Sequence, residues 1–308
     1  MLISPTERTL GATVTDIDLA NLSDSAWTTL YEAFLNYGVL IFPAQHLTDD
    51  EQAHFAQRFG TPEKLSPKQS GANIAVSNSK ADGSVAGPDE YQYQILRGNE
   101  GWHTDSTYMP LASKVAMLNA ITLPPEHGET EFADMRAAWD ALSAAQQAEL
   151  EGLSAHHSLY YSQSRAGYSH KTDNLYGLHD KGAPLRPIIK THSETGRKSI
   201  YTGRHAYAIP GMSDEASELL LDNLLKAACQ PPRVYTHNWQ VGDLVVWDNR
   251  CLMHRARPYD TNYPRQLRGT RIAGDSVTEL APTFADERAT NFSPSSSNTS
   301  RVESSATH

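Results

Sequence analysis

The sequence predicts a mainly β fold, a β-sandwich or jelly roll with α-helices packed on its outside. Three observations carry this prediction. Beyond residue 74 the chain consists mostly of short apolar or alternating segments, irregular connections separate these segments, and helical patterns are confined to a few intervals. A length of 308 residues is compatible with a single all-β domain.

The first sixty residues alternate between strand and helix. Residues 11–19 alternate small or apolar side chains with polar ones, which predicts a short strand. Ser23 is a candidate N-cap for a helix with regularly spaced aromatic residues. Residues 38–42 predict a buried strand, and the run from Thr48 to Glu51 resembles a capping box that opens a second helix.

Most of the remaining elements are predicted strands. Two further helices are expected, over residues 137–150 and 214–229, together with a long loop over residues 162–183 that shows no clean period. Long loops of this kind often act as lids over active sites. The predicted strands cover residues 112–123, 187–190, 199–202 and 242–247.

The chain is expected to form one domain over residues 1–275. Residues 276–308 contain few apolar side chains and end in a Ser- and Thr-rich run. Such a composition buries too little apolar surface to offset the entropy lost on ordering, so we expect this tail to be disordered.

Composition disfavours several classes of partner. A net charge of −10 at pH 7 disfavours nucleic acid, and no run of Lys and Arg offers a patch for a membrane surface. No apolar stretch approaches the roughly 18 residues of a membrane span, and the first residues lack the pattern of a secretory signal. Two cysteines cannot build a disulfide framework. We therefore expect a cytoplasmic protein.

The main chemical signal is the set His103, Asp105 and His254, accompanied by the run Trp247-Asp248-Asn249-Arg250. Side chains two residues apart on an extended segment point the same way, so His103 and Asp105 can converge on one ion that His254 joins through the fold. Two imidazoles and one carboxylate are the facial ligand set of non-haem Fe(II) oxygenases. A catalytic zinc site can use the same residue types, but zinc would leave the arginine described next unexplained.

Arg265 lies 11 residues beyond His254. A guanidinium can clamp the distal carboxylate of 2-oxoglutarate through two parallel hydrogen bonds, a geometry that lysine cannot supply. Thr130 is a candidate to donate its hydroxyl to the same carboxylate. The alternative for Arg265 is a solvated position within an arginine-rich region.

Two other groups of residues have side chains that could carry chemistry. The pair His156-His157 is more typical of packed or solvated histidines than of a metal site, whereas Arg204, beside His205, is a candidate for binding an anionic substrate. No Ser-His-Asp arrangement with recognisable context, no Gly-x-Ser-x-Gly and no phosphate-binding Gly-rich loop is present.

Three segments carry a resemblance to a known family. They are residues 102–110 (WHTDSTYMP), 203–212 (GRHAYAIPGM) and 246–255 (VWDNRCLMHR), with shorter matches at residues 9–15, 40–47 and 132–138. These segments resemble the TauD/TfdA family of Fe(II)- and 2-oxoglutarate-dependent oxygenases, and within it the branch of (S)-specific phenoxypropionate dioxygenases, which degrade aryloxyalkanoates. The resemblance extends from about residue 8 to 275; the tail lies outside it.

The resemblance implies a double-stranded β-helix core with flanking α-helices. It implies that His103, Asp105 and His254 bind Fe(II), that Thr130 and Arg265 bind 2-oxoglutarate, and that O2 is the second co-substrate. The implied reaction hydroxylates a small carboxylic acid, such as (S)-2-phenoxypropionate or 2,4-dichlorophenoxyacetate, which is cleaved to a phenol and a 2-oxo acid while succinate and CO2 are released. The partner is a small anionic molecule, and assembly into a homo-oligomer is left open.

One departure from the family's pattern concerns the substrate. The 2,4-dichlorophenoxyacetate enzymes place a carboxylate-binding arginine four residues after the co-substrate arginine, where this chain has Gly269. Arg204 is the first candidate to take over that role and Arg271 the second. Two alternatives follow: the same chemistry on a sulfonate, an alkyl sulfate or a secondary-metabolite acid, or a non-catalytic β-sandwich that binds ligands.

Overall fold

A seven-stranded sheet forms the larger layer of the protein in a computed structural model that describes residues 1–65, 69–168 and 182–286. The strands of the described residues are β1 (Leu2–Pro5), β2 (Ala12–Thr15), β3 (Val39–Phe42), β4 (Asn73–Ser77), β5 (Ser113–Thr122), β6 (Thr130–Asp134), β7 (Ser154–His157), β8 (Ala183–Pro187), β9 (Ile189–Thr191), β10 (Lys198–Ile200), β11 (Ala206–Tyr207), β12 (Val234–His237), β13 (Leu244–Asp248), β14 (Leu252–Ala256), β15 (Gln266–Ala273) and β16 (Thr283–Phe284). The seven-stranded sheet has the strand order β1-β2-β3-β13-β5-β15-β4, and all neighbouring pairs are antiparallel except β2 and β3.

Two N-terminal helices cover the outer face of this sheet. The helices of the described residues are α1 (Asp24–Tyr37), α2 (Asp49–Gln57), α3 (Tyr91–Gly98), α4 (Met135–Asp140), α5 (Ala144–Leu150), α6 (Leu159–Arg165) and α7 (Asp214–Ala228). Aromatic side chains of α1 and α2, including Phe34 and Phe55, pack with Leu40 and Phe42 of β3 in one buried cluster. The predicted caps are confirmed, because Ser23 accepts from the Ala26 amide and Thr48 forms a capping box with Glu51.

The inner face of the large sheet packs against a three-stranded sheet with the order β12-β6-β14. Side chains that alternate with the outer-facing ones, such as Val39, Ile41 and Trp247, share a buried cluster with Phe132 of β6 and Leu252 of β14. Two sheets packed face to face with helices outside form a jelly roll. The predicted fold class is therefore confirmed, and the space between the two sheets positions the candidate site.

A four-stranded sheet, β11-β7-β8-β16, and the hairpin β9-β10 extend the smaller layer. Helices α4 and α7 pack there in a third apolar cluster with Ile188 and Ile200. A buried ion pair attaches this part to α1: Arg136 bonds Asp134, and its guanidinium also donates to the carbonyls of Leu35, Asn36 and Tyr37 at the end of α1.

Three local predictions need correction. The helix expected over residues 137–150 is two helices, α4 and α5, because Ser143 accepts from the Gln146 amide and starts a new helix with its own capping box. The loop expected from residue 162 begins with the last turn of α6, and its residues 169–181 lie outside the described ones. Helix α3 was not predicted at all.

The C-terminal segment is described as far as residue 286. Residues 276–286 of the predicted tail include β16, which pairs with β8 in antiparallel register, and the Tyr207 hydroxyl donates to Asp286. Residues 287–308 lie outside the described ones, so the domain limit at residue 275 stays a prediction. Within the described ranges, no helix is long and apolar enough to cross a membrane.

Candidate active site

His103 and His254 are brought together by the backbone. The two residues form an antiparallel bridge in which the His103 amide donates to the His254 carbonyl at 3.0 Å and the His254 amide donates back at 2.8 Å. Their ring centroids are 4.2 Å apart. Strand β14 supplies His254, and the segment that follows α3 supplies His103, so residues distant in sequence become direct neighbours.

Asp105 completes the set at the beginning of a turn. The segment from His103 onward is extended only at the bridge, and Ser106 already has a φ of 56°. One ligand atom from each of His103, Asp105 and His254 lies within 4.8 Å of the others, and all three residues are buried. The convergence expected for these three side chains is therefore present, through a bridge and a turn instead of a strand.

The protonation of the two imidazoles suits a metal. The Nδ1–H of His103 donates to the Gly101 carbonyl at 2.8 Å, which leaves Nε2 as the unprotonated nitrogen. Burial, together with the neighbouring His254, holds the pKa of His103 well below its usual range, and burial also lowers the pKa of His254. Nδ1 of His254 is buried with no hydrogen-bond partner. Two neutral imidazoles beside a carboxylate fit Fe(II).

The Asp105 carboxylate is paired with Arg271, and Glu63 is bonded to the next residue, Ser106. Nη2 of Arg271 lies 2.6 Å from Oδ1 of Asp105. The Ser106 hydroxyl donates to Glu63 at 2.7 Å, and burial raises the pKa of Glu63. A cationic group is thus held next to the carboxylate on the side that faces the cavities.

A small cavity of about 50 Å³ lies next to His103, Asp105 and His254, and it also contains Thr130 and Arg265. The Thr130 hydroxyl accepts from the Trp239 indole at 3.0 Å, so its own hydrogen is available for donation. Arg265 donates to the Gly128 carbonyl at 2.9 Å, and its Nε is buried without a partner. In the described part of the chain no carboxylate pairs with this guanidinium, so the cavity presents an unneutralised cation.

A larger cavity of about 320 Å³ adjoins the small one, and His103 and Asp105 line both. Its apolar wall includes Ile95, Leu96 and Leu159, and its polar lining includes Gln163, His205 and Arg271 together with the Tyr108 ring. Helices α3 and α6 supply much of this wall. The shape suits a small molecule with an aromatic or aliphatic body.

Arg204 lies behind the larger cavity and does not line it. Its guanidinium donates to the side-chain oxygen of Gln163, which does line the cavity. Burial lowers the pKa of Arg204 to about 10, and no carboxylate within the described ranges forms an ion pair with it. Arg271 lines both cavities but is paired with Asp105.

Gly269 faces the small cavity, two residues from Arg271 on β15. A Cβ atom at this position would lie 3.2 Å from Ile74 and 3.3 Å from Leu118. The surroundings of Gly269 are therefore apolar and closely packed, so a substrate carboxylate would have to meet a cation other than one at this position, and Arg271 and Arg204 are the two candidates.

A second cluster of metal-binding residue types was missed by sequence reasoning. His192, Asp248 and Cys251 also lie within reach of one ion. However, Nδ1 of His192 accepts from two backbone amides at 3.2 Å each, so its Nε2–H donates to Asp248 at 2.9 Å, and Arg250 pairs with the same carboxylate. Burial raises the pKa of the Cys251 thiol. These side chains satisfy one another's hydrogen bonds and form a structural network. In the sequence, only the charged residues Asp248 and Arg250 hinted at this network.

The fold and this site together define a class. A jelly roll with two imidazoles and one carboxylate converging between its sheets, beside a buried arginine that lacks an acid partner, is the arrangement of a non-haem iron oxygenase that uses an anionic co-substrate.

Comparison with known proteins agrees with this class. The model of the family described as taurine catabolism dioxygenase TauD, TfdA family, matches residues 2–271. The chain is 49% identical to (S)-phenoxypropionate/alpha-ketoglutarate-dioxygenase of Sphingobium herbicidovorans, over 91% of this chain and 97% of that protein. It is 37% identical to the alpha-ketoglutarate-dependent 2,4-dichlorophenoxyacetate dioxygenase of Cupriavidus pinatubonensis, over 90% and 99% of the two chains.

Solved structures give the same result. The chain resembles AAD-2, whose crystal structure contains Mn(II) and N-oxalylglycine, with a TM-score of 0.82, 37% identity and coverage of 89% of this chain and 98% of that one. The protein belongs to the TauD/TfdA family. It is an Fe(II)- and 2-oxoglutarate-dependent dioxygenase that consumes O2 and acts on a small molecule.

Proposed function

We propose that His103, Asp105 and His254 hold the Fe(II) ion, and that Thr130 and Arg265 bind the distal carboxylate of 2-oxoglutarate. The convergence of the three ligand atoms within 4.8 Å of one another is the observation that carries this proposal. Its second support is the small cavity, which contains those three residues at one end and Thr130 and Arg265 as hydrogen-bond donors.

When bound, Fe(II) with 2-oxoglutarate and O2 supplies the oxidative decarboxylation to succinate and CO2 that is coupled to oxidation of a substrate C–H bond. The residues of the chain orient and protect the reactants. The Gly101 carbonyl keeps the His103 tautomer with a free Nε2. Thr130 and Arg265 orient the co-substrate by charge-assisted hydrogen bonds, and the apolar wall of the larger cavity excludes water from the reacting carbon.

We propose further that the substrate is a small aryloxyalkanoate, such as (S)-2-phenoxypropionate. The apolar wall of the larger cavity is suited to an aromatic ring. For the carboxylate, Arg204 lies behind Gln163, which lines the cavity, and Arg271 lines the cavity itself. The names of the relatives at 49% and 37% identity support the same class of substrate. Hydroxylation of the carbon that bears the ether oxygen gives a hemiketal, which collapses to a phenol and pyruvate.

Phenol release tests the substrate class. The enzyme with Fe(II), 2-oxoglutarate and ascorbate in air is given (R)- or (S)-2-(2,4-dichlorophenoxy)propionate, and the phenol and succinate are quantified. We expect phenol from the (S)-enantiomer alone. Uncoupled 2-oxoglutarate consumption without phenol from either enantiomer would contradict the aryloxyalkanoate proposal and direct attention to sulfonates, alkyl sulfates and secondary-metabolite acids.

His103→Ala tests the iron site. Mn(II) should raise the melting temperature of the wild type, because a ligand that binds the folded state stabilises it. Because His103→Ala removes one of three proposed ligands, we expect it to abolish both this rise and 2-oxoglutarate turnover. His54→Gln, which changes an exposed histidine of α2, is the control and should keep both properties. Near-normal turnover of His103→Ala would mean that the iron site lies elsewhere.

Arg204→Ala tests the substrate carboxylate site. Removal of the guanidinium should raise the KM for the anionic substrate at least tenfold, about 1.4 kcal/mol, and leave the KM for 2-oxoglutarate nearly unchanged. Arg271→Ala, compared under the same conditions, measures the second candidate. Equal effects of Arg204→Ala on both KM values would remove this residue from the substrate role.

We propose, finally, that the enzyme works in the cytoplasm and has no nucleic-acid or membrane partner. The acidic net charge of −10 supports this proposal. Its two cysteines, Cys229 and Cys251, are both free thiols, as expected in a reducing compartment.

A further inference from the structure

We infer that Asn249 is a positioning residue that orients the carboxylate of Asp105 toward the metal. The inference rests on the proposed assignment of Asp105 as an Fe(II) ligand. It starts from a pair of reciprocal hydrogen bonds: Oδ1 of Asn249 accepts from the Asp105 amide at 2.9 Å, and Nδ2 donates to the Asp105 carbonyl at 2.9 Å.

The second hydrogen of the Asn249 amide is also used, because Nδ2 donates to the Ser113 carbonyl at 2.8 Å. The Asn249 residue is 0% exposed and Asp105 is 4% exposed, so water does not compete for these bonds. A side chain with one acceptor and two donors in this geometry joins the start of β5 to the turn that carries the ligand. Few residue types other than asparagine can make this connection.

Asp105 depends on a side chain for its backbone hydrogen bonds, whereas His103 and His254 do not. His103 and His254 are held by backbone hydrogen bonds to each other, which any residue pair at these positions could form. Asp105 has left the bridge and entered a turn, and no backbone group of the described residues bonds its amide or carbonyl. Within the described residues, Asn249 therefore holds both the amide and the carbonyl of Asp105, while Arg271 contacts its carboxylate.

The network around Asp248 explains how Asn249 itself is held. Its backbone amide donates to the Lys114 carbonyl at 3.0 Å. On either side, Asp248 accepts from His192 and Arg250, and Arg250 also pairs with Glu194. The buried ion pairs thus fix the turn between β13 and β14, and this turn presents the Asn249 amide to Asp105.

The test compares Asn249→Ala with Gln52→Ala by titrating the metal-free proteins with Mn(II) and counting free Mn(II) by electron paramagnetic resonance. Gln52 is an equally buried side-chain amide with three hydrogen bonds, to Arg268 twice and to Thr270, and none of these bonds goes to a candidate metal ligand. We expect Asn249→Ala to weaken Mn(II) binding between about tenfold and 100-fold, as removal of a residue that orients a ligand does elsewhere. Gln52→Ala should lower the melting temperature but keep the wild-type Kd.

Several outcomes separate the alternatives. A wild-type Kd in Asn249→Ala, or an equal weakening in Gln52→Ala, would overturn the inference, because the amide would then have a structural role only. If Asn249→Ala does not fold, Asn249→Asp, which keeps an acceptor and loses both donors, is titrated in its place with the same expectation. His103→Ala in the same titration keeps the two proposals apart: if it also binds Mn(II) normally, the ligand assignment has failed, and otherwise only the role of Asn249 is in question.

Discussion

Arg265 is in an uncommon electrostatic position for a guanidinium. The residue is 4% exposed, and burial lowers its pKa. Its partners are a carbonyl and the ring of Tyr259, whose centroid lies 5.5 Å from the guanidinium carbon. A buried cation without an acid partner is unfavourable until an anion binds, and this supports the proposal that Arg265 binds the carboxylate of the co-substrate.

Arg265→Lys should raise the KM for 2-oxoglutarate at least tenfold. Lysine keeps the positive charge but cannot form two parallel hydrogen bonds with a carboxylate. The expected loss of binding free energy for 2-oxoglutarate, about 1.4 kcal/mol or more, therefore comes from hydrogen-bond geometry and not from charge. Initial rates at varied 2-oxoglutarate measure it. Arg268→Lys, three residues further along in β15, where the arginine pairs with the exposed Asp49, should keep the wild-type KM. An unchanged KM in Arg265→Lys would assign the co-substrate to other residues.

At the scale of single residues, the sequence indicated which side chains carry chemistry but not all of their neighbours. His103, Asp105 and His254 are recognisable from residue type, and their convergence is present in the structure. Gln163 and Glu63 gave no signal, because a glutamine or glutamate in a polar sequence is usually solvated. Only the fold places Gln163 between Arg204 and the larger cavity.

Among the elements, helix α3 bears most directly on substrate binding. It forms one wall of the larger cavity and ends at Gly98. A Cβ atom at Gly98 would lie 2.1 Å from the side-chain oxygen of Gln163 and 2.7 Å from Nη1 of Arg204. The absence of a side chain at the end of this helix therefore allows Arg204 and Gln163 to pack against it.

Gly98→Ala should raise the KM for the anionic substrate several-fold while 2-oxoglutarate binding stays normal, because the added methyl displaces Gln163 and Arg204 and leaves the small cavity intact. Rates at varied substrate and at varied 2-oxoglutarate give the two constants. Gly71→Ala is the matched control, since its Cβ would meet nothing closer than 4.0 Å. Parallel changes in both constants would point to a general loss of structure.

The sequence predicted helices such as α1 and α2, whose first residue is preceded by a capping side chain. The caps at Ser23 and Thr48 act within a few residues, so α1 and α2 could be placed from the sequence. Ser143 also caps a helix, α5, through a capping box, but the apolar pattern continues across it, so the sequence suggested one helix instead of two. Helix α3 lacks a side-chain cap, and its N-cap residue Glu90 makes no capping bond, so it offered no start signal.

Over the whole molecule, buried histidines make stability depend on pH. His157 is fully buried, both ring nitrogens lack hydrogen-bond partners, and burial holds its pKa well below the usual value of 6.5. Above about pH 6.5 the folded and unfolded chains both carry a neutral imidazole, so this residue contributes no pH dependence. Below that pH the unfolded chain gains a proton that the folded chain does not. The free energy of unfolding therefore decreases as the pH is lowered.

Replacement of His157 should therefore flatten the pH profile of stability. Urea unfolding of His157→Gln between pH 6.5 and 5, with a chelator present, should show a slope smaller than wild type by up to about 1.4 kcal/mol per pH unit. His54→Gln should retain the wild-type slope, because water surrounds that side chain in both states. The same slope in His157→Gln and wild type would show that other groups cause the acid instability.

The sequence by itself determined the class of fold, the caps of the early helices, the residue types of the metal site and the family. These properties depend on short-range periodicity and on residue chemistry, which are legible along the chain. The tertiary structure alone decided that His103 bridges His254, that Asn249 holds Asp105, and that Arg204 lies behind Gln163. These contacts join segments far apart in sequence, and their geometry follows from strand register and from packing between two sheets, which no local pattern specifies.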